Sequence, residues 1–161
     1  MSAWNMNDGS ALTGTHTFTN GSAVVNGNAS AVYKSEVNIG DVVTSAGGES
    51  LRVKDLSPAR TVATSGVNAS TNVVTFTAHG YVDTQEVTYN AGGGTVMAGL
   101  ADGTTYFIRD KADNTFKLAA TSGGTAIDIT GTGNNAQNFV GETNTGMTMT
   151  SNMSGSTESG V

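Results

Sequence analysis

The residues able to carry chemistry are few and scattered. His16 and His79 are the two histidines of the chain. A metal centre or an acid–base pair needs several such groups converging in space. His16 alternates with Phe18 in a strand-like run and His79 precedes Gly80, so the first reads as a half-buried strand residue and the second as a turn residue. Oxygen ligands are denser. Asp102 stands on one turn, and Asp110, Asp113 and Asn114 stand on the next. A Ca2+ ion takes roughly six to eight oxygens, so these four residues form a candidate calcium cluster. The calcium-loop spacing with its terminal glutamate is absent. Aspartate and asparagine also serve ordinary turns by bonding their own backbone, and that reading is preferred. Gly92-Gly93-Gly94 is followed by no Lys-Ser or Lys-Thr and so cradles no phosphate, and no Gly-x-Ser-x-Gly elbow occurs. With no catalytic residue and no cofactor assigned, the expectation is a protein that is not an enzyme.

The elements that would position these residues are strands. Glycine makes up 22 of the 161 residues, about twice its average share of roughly 7%. Residues that build long helices are scarce, while Thr, Val, Phe and Tyr between glycine turns favour strands. Two stretches read alike. Val37, Ile39 and Gly40-Asp41-Val42 lead through Gly47-Gly48 to Leu51-Arg52-Val53-Lys54-Asp55. Tyr81-Val82-Asp83 and Glu86-Val87-Thr88-Tyr89 lead through Gly92-Gly93-Gly94 to Tyr106-Phe107-Ile108-Arg109-Asp110. The fold class read from this is all-β: two tandem small β-barrel or β-sandwich units with extended N- and C-terminal arms.

The expected organisation has four parts. Residues 1–14 are an N-terminal arm carrying Trp4 and Met6. Residues 15–65 are the first β unit, opened by a hairpin at Asn20-Gly21 and closed by Thr61-Val62-Ala63. Residues 66–141 are the second, in which Ile108 is matched by Leu118 across Asp113-Asn114. Residues 142–161 are a polar tail, with Met147 and Met149 at strand spacing. Small units of this size bury only about 60% of their unfolded surface, and aromatic residues are 6% of the chain. The units are therefore expected to lean on each other or on partner subunits.

Composition also excludes. There is no cysteine, hence no disulfide framework and no thiolate metal site. The net charge of -6 opposes nucleic-acid binding, which needs a basic patch. No stretch approaches the ~18 apolar residues of a membrane span, and no basic region followed by an apolar run opens the chain.

The segment Gly14–Gly27, with Glu36–Val43, resembles a β module recurrent in virion proteins of tailed phages, those of marine cyanobacteria among them. The second stretch resembles a module of phage and bacterial surface proteins, through Thr77-Ala78-His79-Gly80-Tyr81, Gly99–Phe107 and Asn114–Ala119. It departs from that cadence at Thr84-Gln85-Glu86, where Gly-Asp is usual, which weakens the expected bend. The resemblance implies a non-enzymatic virion protein. A capsid decoration or cement protein on the head surface is preferred, with a tail, baseplate or fibre component that binds host glycans as the alternative. The implied partners are a major capsid protein or tail proteins, in a homo-oligomer or bound to a lattice. Trp4, Met6, Tyr33, Tyr81, Met147 and Met149 are the candidate partner-contact residues.

Overall fold

In a computed structural model the chain is all-β, with one helical turn and one 3-10 turn among the described residues. The structure describes residues 11–154 and the backbone of Glu158–Gly160. The chain divides into two compact units. The second is Ala59–Gly141. The first is made of the chain up to Pro58 and of everything from Glu142 onward. The second unit is thus inserted into the first, not placed after it.

In the first unit, β1 (His16–Phe18) and β2 (Val24–Gly27) form the hairpin over Asn20-Gly21. The single turn α1 (Tyr33–Glu36) follows, then β3 (Val42–Thr44) and β4 (Ser50–Asp55). In the second unit, β5 (Arg60–Thr61) and a 3-10 turn at Thr64–Gly66 precede β6 (Val67–Asn68) and β7 (Val73–Thr75). Next come β8 (Glu86–Asn90), β9 (Thr104–Arg109), β10 (Thr115–Ala119) and β11 (Asn138–Val140). The chain then returns to the first unit for β12 (Gly146–Met149) and β13 (Glu158–Gly160).

Both sheets are antiparallel and open. Their orders are β13-β1-β2-β12-β4-β3 and β5-β11-β8-β9-β10-β7-β6. Within them one five-strand framework occurs twice: β1-β2-β12-β4-β3 matches β6-β7-β10-β9-β8 strand for strand. The core pairs correspond as well, with one register shift, between Thr148 and Met149, in the first unit alone. Phe18 pairs Val25 and Val25 pairs Met147; Val67 pairs Val74 and Val74 pairs Phe116. Val43 pairs Leu51 and Val53 pairs Met149; Val87 pairs Tyr106 and Ile108 pairs Leu118. All fourteen side chains are buried. Because strand side chains alternate faces, the shared pairing places seven core residues of one unit at the positions of seven of the other. Methionines fill in the first unit the places of Phe116 and Leu118 in the second.

Two expectations fail here. The expected tail supplies β12, an interior strand between β2 and β4, and Met147, Met149 and Met153 lie in the first core. Thr61-Val62-Ala63 does not close the first unit. Thr61 pairs Asn138 of the second sheet, and Val62 is in the second core. The reason is common to both: local periodicity marks a strand but not its partner, and the partner here lies across a long insertion.

Candidate functional site

The matching stretches meet at one tight turn in each unit. In the first, the Asn38 N–H donates to Asp41 Oδ2 (2.8 Å) and the Asp41 N–H to the Asn38 carbonyl (3.1 Å). The Gly40 N–H donates to the Val53 carbonyl, and the Val53 N–H to the Asp41 carbonyl, both at 2.8 Å. In the second, the Val82 N–H donates to Gln85 Oε1 (3.2 Å) and the Gln85 N–H to the Val82 carbonyl (3.3 Å). The Thr84 N–H donates to the Ile108 carbonyl, and the Ile108 N–H to the Gln85 carbonyl, both at 2.8 Å. The four bonds are the same. The third residue must take positive φ, which Gly40 does at 99° and Thr84 at 67°. Thr84-Gln85 therefore makes the bend that Gly40-Asp41 makes. The longer Gln85 side chain replaces the aspartate as acceptor, and a β-branched residue bears the strain of the left-handed region.

Each histidine is packed inside its own unit. His16 is fully buried, with Nδ1 2.6 Å from the Tyr33 hydroxyl and the two rings stacked at 5.3 Å. It stands across the ladder from Gly27, where a Cβ would come within 2.9 Å of that hydroxyl. Burial lowers the His16 pKa, opposed by a backbone bond with Leu12 and by the Glu36 charge. Glu36 in turn accepts from the backbone N–H and the hydroxyl of Thr13. The other histidine staples two turns. His79 Nδ1 accepts the Tyr81 N–H (3.0 Å), so Nε2 carries the proton and faces the Ala112 carbonyl (2.7 Å) and the Thr115 carbonyl (3.2 Å). Phe116 meets its ring edge-on at 5.1 Å. Burial pushes its pKa down, opposed by the bonds to the Ala112 and Thr115 carbonyls and helped by the charges of Lys111 and Arg60.

The expected contact residues sit elsewhere than expected. Tyr33 and Tyr81 are core residues, at 0% and 1% exposure. The Tyr81 hydroxyl donates to the Phe139 carbonyl (3.2 Å), and burial raises its pKa well above the usual tyrosine range. Neither ring is available to a glycan. Met147 and Met149 are equally internal. The cause is that a single helical turn tucks Tyr33 inward, while Tyr81 follows the His79-Gly80 corner into an aromatic group with Phe116 and Phe139. Trp4 and Met6 lie outside the described residues.

Three of the four calcium candidates are engaged separately. Asp102 Oδ1 accepts the Ala91 N–H (2.7 Å), and Asn114 Oδ1 accepts the Ala78 N–H (2.8 Å). Asp110 pairs with Arg109 (3.1 Å) and Lys117 (3.4 Å), and the Arg109 hydrogen bond leads in holding its carboxyl below the ordinary aspartate pKa. Asp113 is exposed. Among the described residues no three His, Cys, Asp or Glu side chains gather as a metal site would need. No helix of the described residues is long and apolar enough to cross a membrane.

Several polar residues escaped the sequence reading. Gln137, fully buried, accepts from the Tyr89 hydroxyl (3.1 Å) and donates to the Thr132 carbonyl (2.9 Å). Asn134 donates to the carbonyls of Ala91 and Thr95, both at 2.7 Å. Nothing in their spacing marks them, because each has a partner distant along the chain, Tyr89 for Gln137 and the 91–95 loop for Asn134. Comparison with protein-family models, curated proteins and solved structures finds no match to this chain.

Proposed function

We propose that the chain is a non-enzymatic structural subunit of a tailed-phage virion, and specifically a decoration or cement protein of the head. The observation that carries the reading is the duplication. The chain spends its length building one five-strand framework twice, one copy inside the other. Its histidines and its turn carboxylate and amide are committed to holding those frameworks together. Two like scaffolds present two sets of loops, and a protein that meets a repeating surface through several weak contacts gains affinity through effective concentration. The resemblance of residues 14–43 to a virion β module, and of residues 77–119 to a module of phage and bacterial surface proteins, agrees with this use. Buried Met147 and Met149 take no part in adhesion, so contact falls to loops, edges and exposed apolar residues such as Ile39, 71% exposed, and Val82, 43% exposed.

The test is to separate heads from tails of the particles that carry the chain and to locate it by mass spectrometry. The expected result is recovery with heads. Recovery with tails alone overturns the head assignment, and absence from particles overturns the virion reading.

A further inference from the structure

The duplication leaves one difference between the two frameworks. In the second unit the outer side of β8 is covered by β11, with Thr88 opposite Val140, Tyr89 opposite Phe139 and Asn90 opposite Asn138. The strand equivalent to β8 in the first unit is β3, and among the described residues its one strand partner is β4. Antiparallel ladders alternate inward and outward hydrogen-bonding residues. The bonds of Asp41 and Ser45 to the β4 side put Val43 on the inward set. The backbone groups of Val42 and Thr44 then point away from the sheet, as those of Glu86 and Thr88 do at β8.

Unpaired edges invite another strand, and proteins blunt them with charge, proline, glycine or brevity. The other three edges of the two sheets carry such devices. β5 is two residues long, holds Arg60 and follows Pro58; β6 is two residues long; β13 holds Glu158 and Gly160. β3 reads Val-Val-Thr, three residues as in β13, with no charge, proline or glycine inside it, although Gly40-Asp41 stand directly before it. Ile39, just before it, is the most exposed large apolar side chain described.

We propose that the β3 edge is a strand-docking site, and that its occupant is an extended, uncharged segment of a neighbouring protein subunit that pairs antiparallel with Val42–Thr44. β11 supplies the chemistry of that occupant: three uncharged residues with a bulky apolar side chain, Phe139, between polar or β-branched neighbours. The charges next to the edge are already engaged, Arg52 opposite Val42 by the Gly40 carbonyl and Asp41 by the Asn38 N–H, and main-chain bonds supply affinity in this mode of recognition. The source of the strand rests on the assembly reading above; the chemistry of the edge does not.

The experiment uses the full chain labelled for NMR and a blocked peptide copying residues 136–141. At millimolar peptide the amides of Val42 and Thr44 are expected to shift and to slow in hydrogen exchange by tenfold or more. The same peptide N-methylated at alternate amides is expected to do neither. Absence of these changes overturns the proposal, as does perturbation confined to Thr88 and Asn90, which would mean exchange with β11. Protection of Val42 and Thr44 before peptide is added also overturns it. If that protection vanishes on deleting residues 1–10, the chain covers its own edge, and if it vanishes on dilution, a second copy does. Failure of the head assignment would leave the peptide result intact, so the two readings fail separately.

Discussion

Truncation after Gly141 separates the inserted architecture from a tandem one. A dispensable polar tail would leave both units folded. The structure requires the opposite for the first unit, because β12 lies between β2 and β4. Met147, Met149 and Met153 are 0–3% exposed. Burying a methionine side chain is worth about 1.5–3 kcal/mol, so the three together contribute roughly 5–9 kcal/mol. Truncation also removes the acceptors of the Gly27 and Tyr33 N–H groups, the carbonyls of Thr145 and Asn144, at 2.8 and 3.1 Å. Against a typical domain stability of about 5–15 kcal/mol, the loss unfolds the first unit. The second keeps every member of its own core. Hydrogen exchange read by mass spectrometry is the assay. Uptake across residues 11–58 should rise to the level of an unfolded chain while residues 59–141 stay protected. Retained protection across 11–58 would refute the role of β12, and collapse of both units would refute the independence of the second core.

Two further outcomes follow from the turns and the histidine staple. Thr84→Gly should stabilise the second unit by up to about 1 kcal/mol, since glycine occupies the left-handed region without the Cβ penalty. Gly40→Ala should cost the first unit about 1–2 kcal/mol, purely conformational because a Cβ there meets nothing within 4 Å; urea denaturation of each variant reads both. Acidification should weaken the second unit. The His79 pKa is lowered in the fold, so below the ordinary value of about 6.5 the unfolded chain binds the proton first. The stability from neutral His79 is complete above that value and is lost as pH falls towards and through the lowered one. A proton on Nδ1 also displaces the Tyr81 N–H bond. A His79→Gln variant should be less stable at pH 7 but flatter from pH 7 to 5, and an equally steep acid loss in that variant would reject the assignment.

What the sequence revealed and what it hid divide by distance along the chain. The Asn20-Gly21 hairpin, the alternation of Leu51 and Val53, and the match of Ile108 with Leu118 are local, and all are present. The likeness of the two stretches was legible too, except at the turn before β8, where Thr84-Gln85 in place of Gly-Asp reads as a weakened bend. The assignment of β12 and β5 to their sheets was not, because each pairs with strands that periodicity cannot name. Tyr33 was misread because a four-residue helix leaves too little period to show which face is inward. The aspartates near 102–114 look clustered in one dimension, yet Asp102 accepts a backbone N–H, Asp110 pairs with the side chains of Arg109 and Lys117, and Asp113 is exposed. Asp41 reads as part of a cadence and Gln85 as a departure from it, but their common task, capping the turn's first N–H, emerges only in space.

The place of the insertion has a physical reason. In the second unit the strands equivalent to β4 and β12 are β9 and β10, antiparallel neighbours joined by the short link from Asp110 to Asn114. In the first unit the same link holds an entire β unit. Antiparallel neighbours bring the ends of such a link together: the Thr143 N–H donates to the Leu56 carbonyl at 2.9 Å. A domain can enter at a surface link without parting the strands on either side. Val53 still pairs with Met149 as Ile108 does with Leu118, with a register shift between Thr148 and Met149 that the second unit lacks. The entropy of closing a loop grows only slowly with its length, and a folded insert whose ends are fixed adds still less. The first framework can therefore carry the second without losing its own pairing, and two sets of surface loops result from one strand plan.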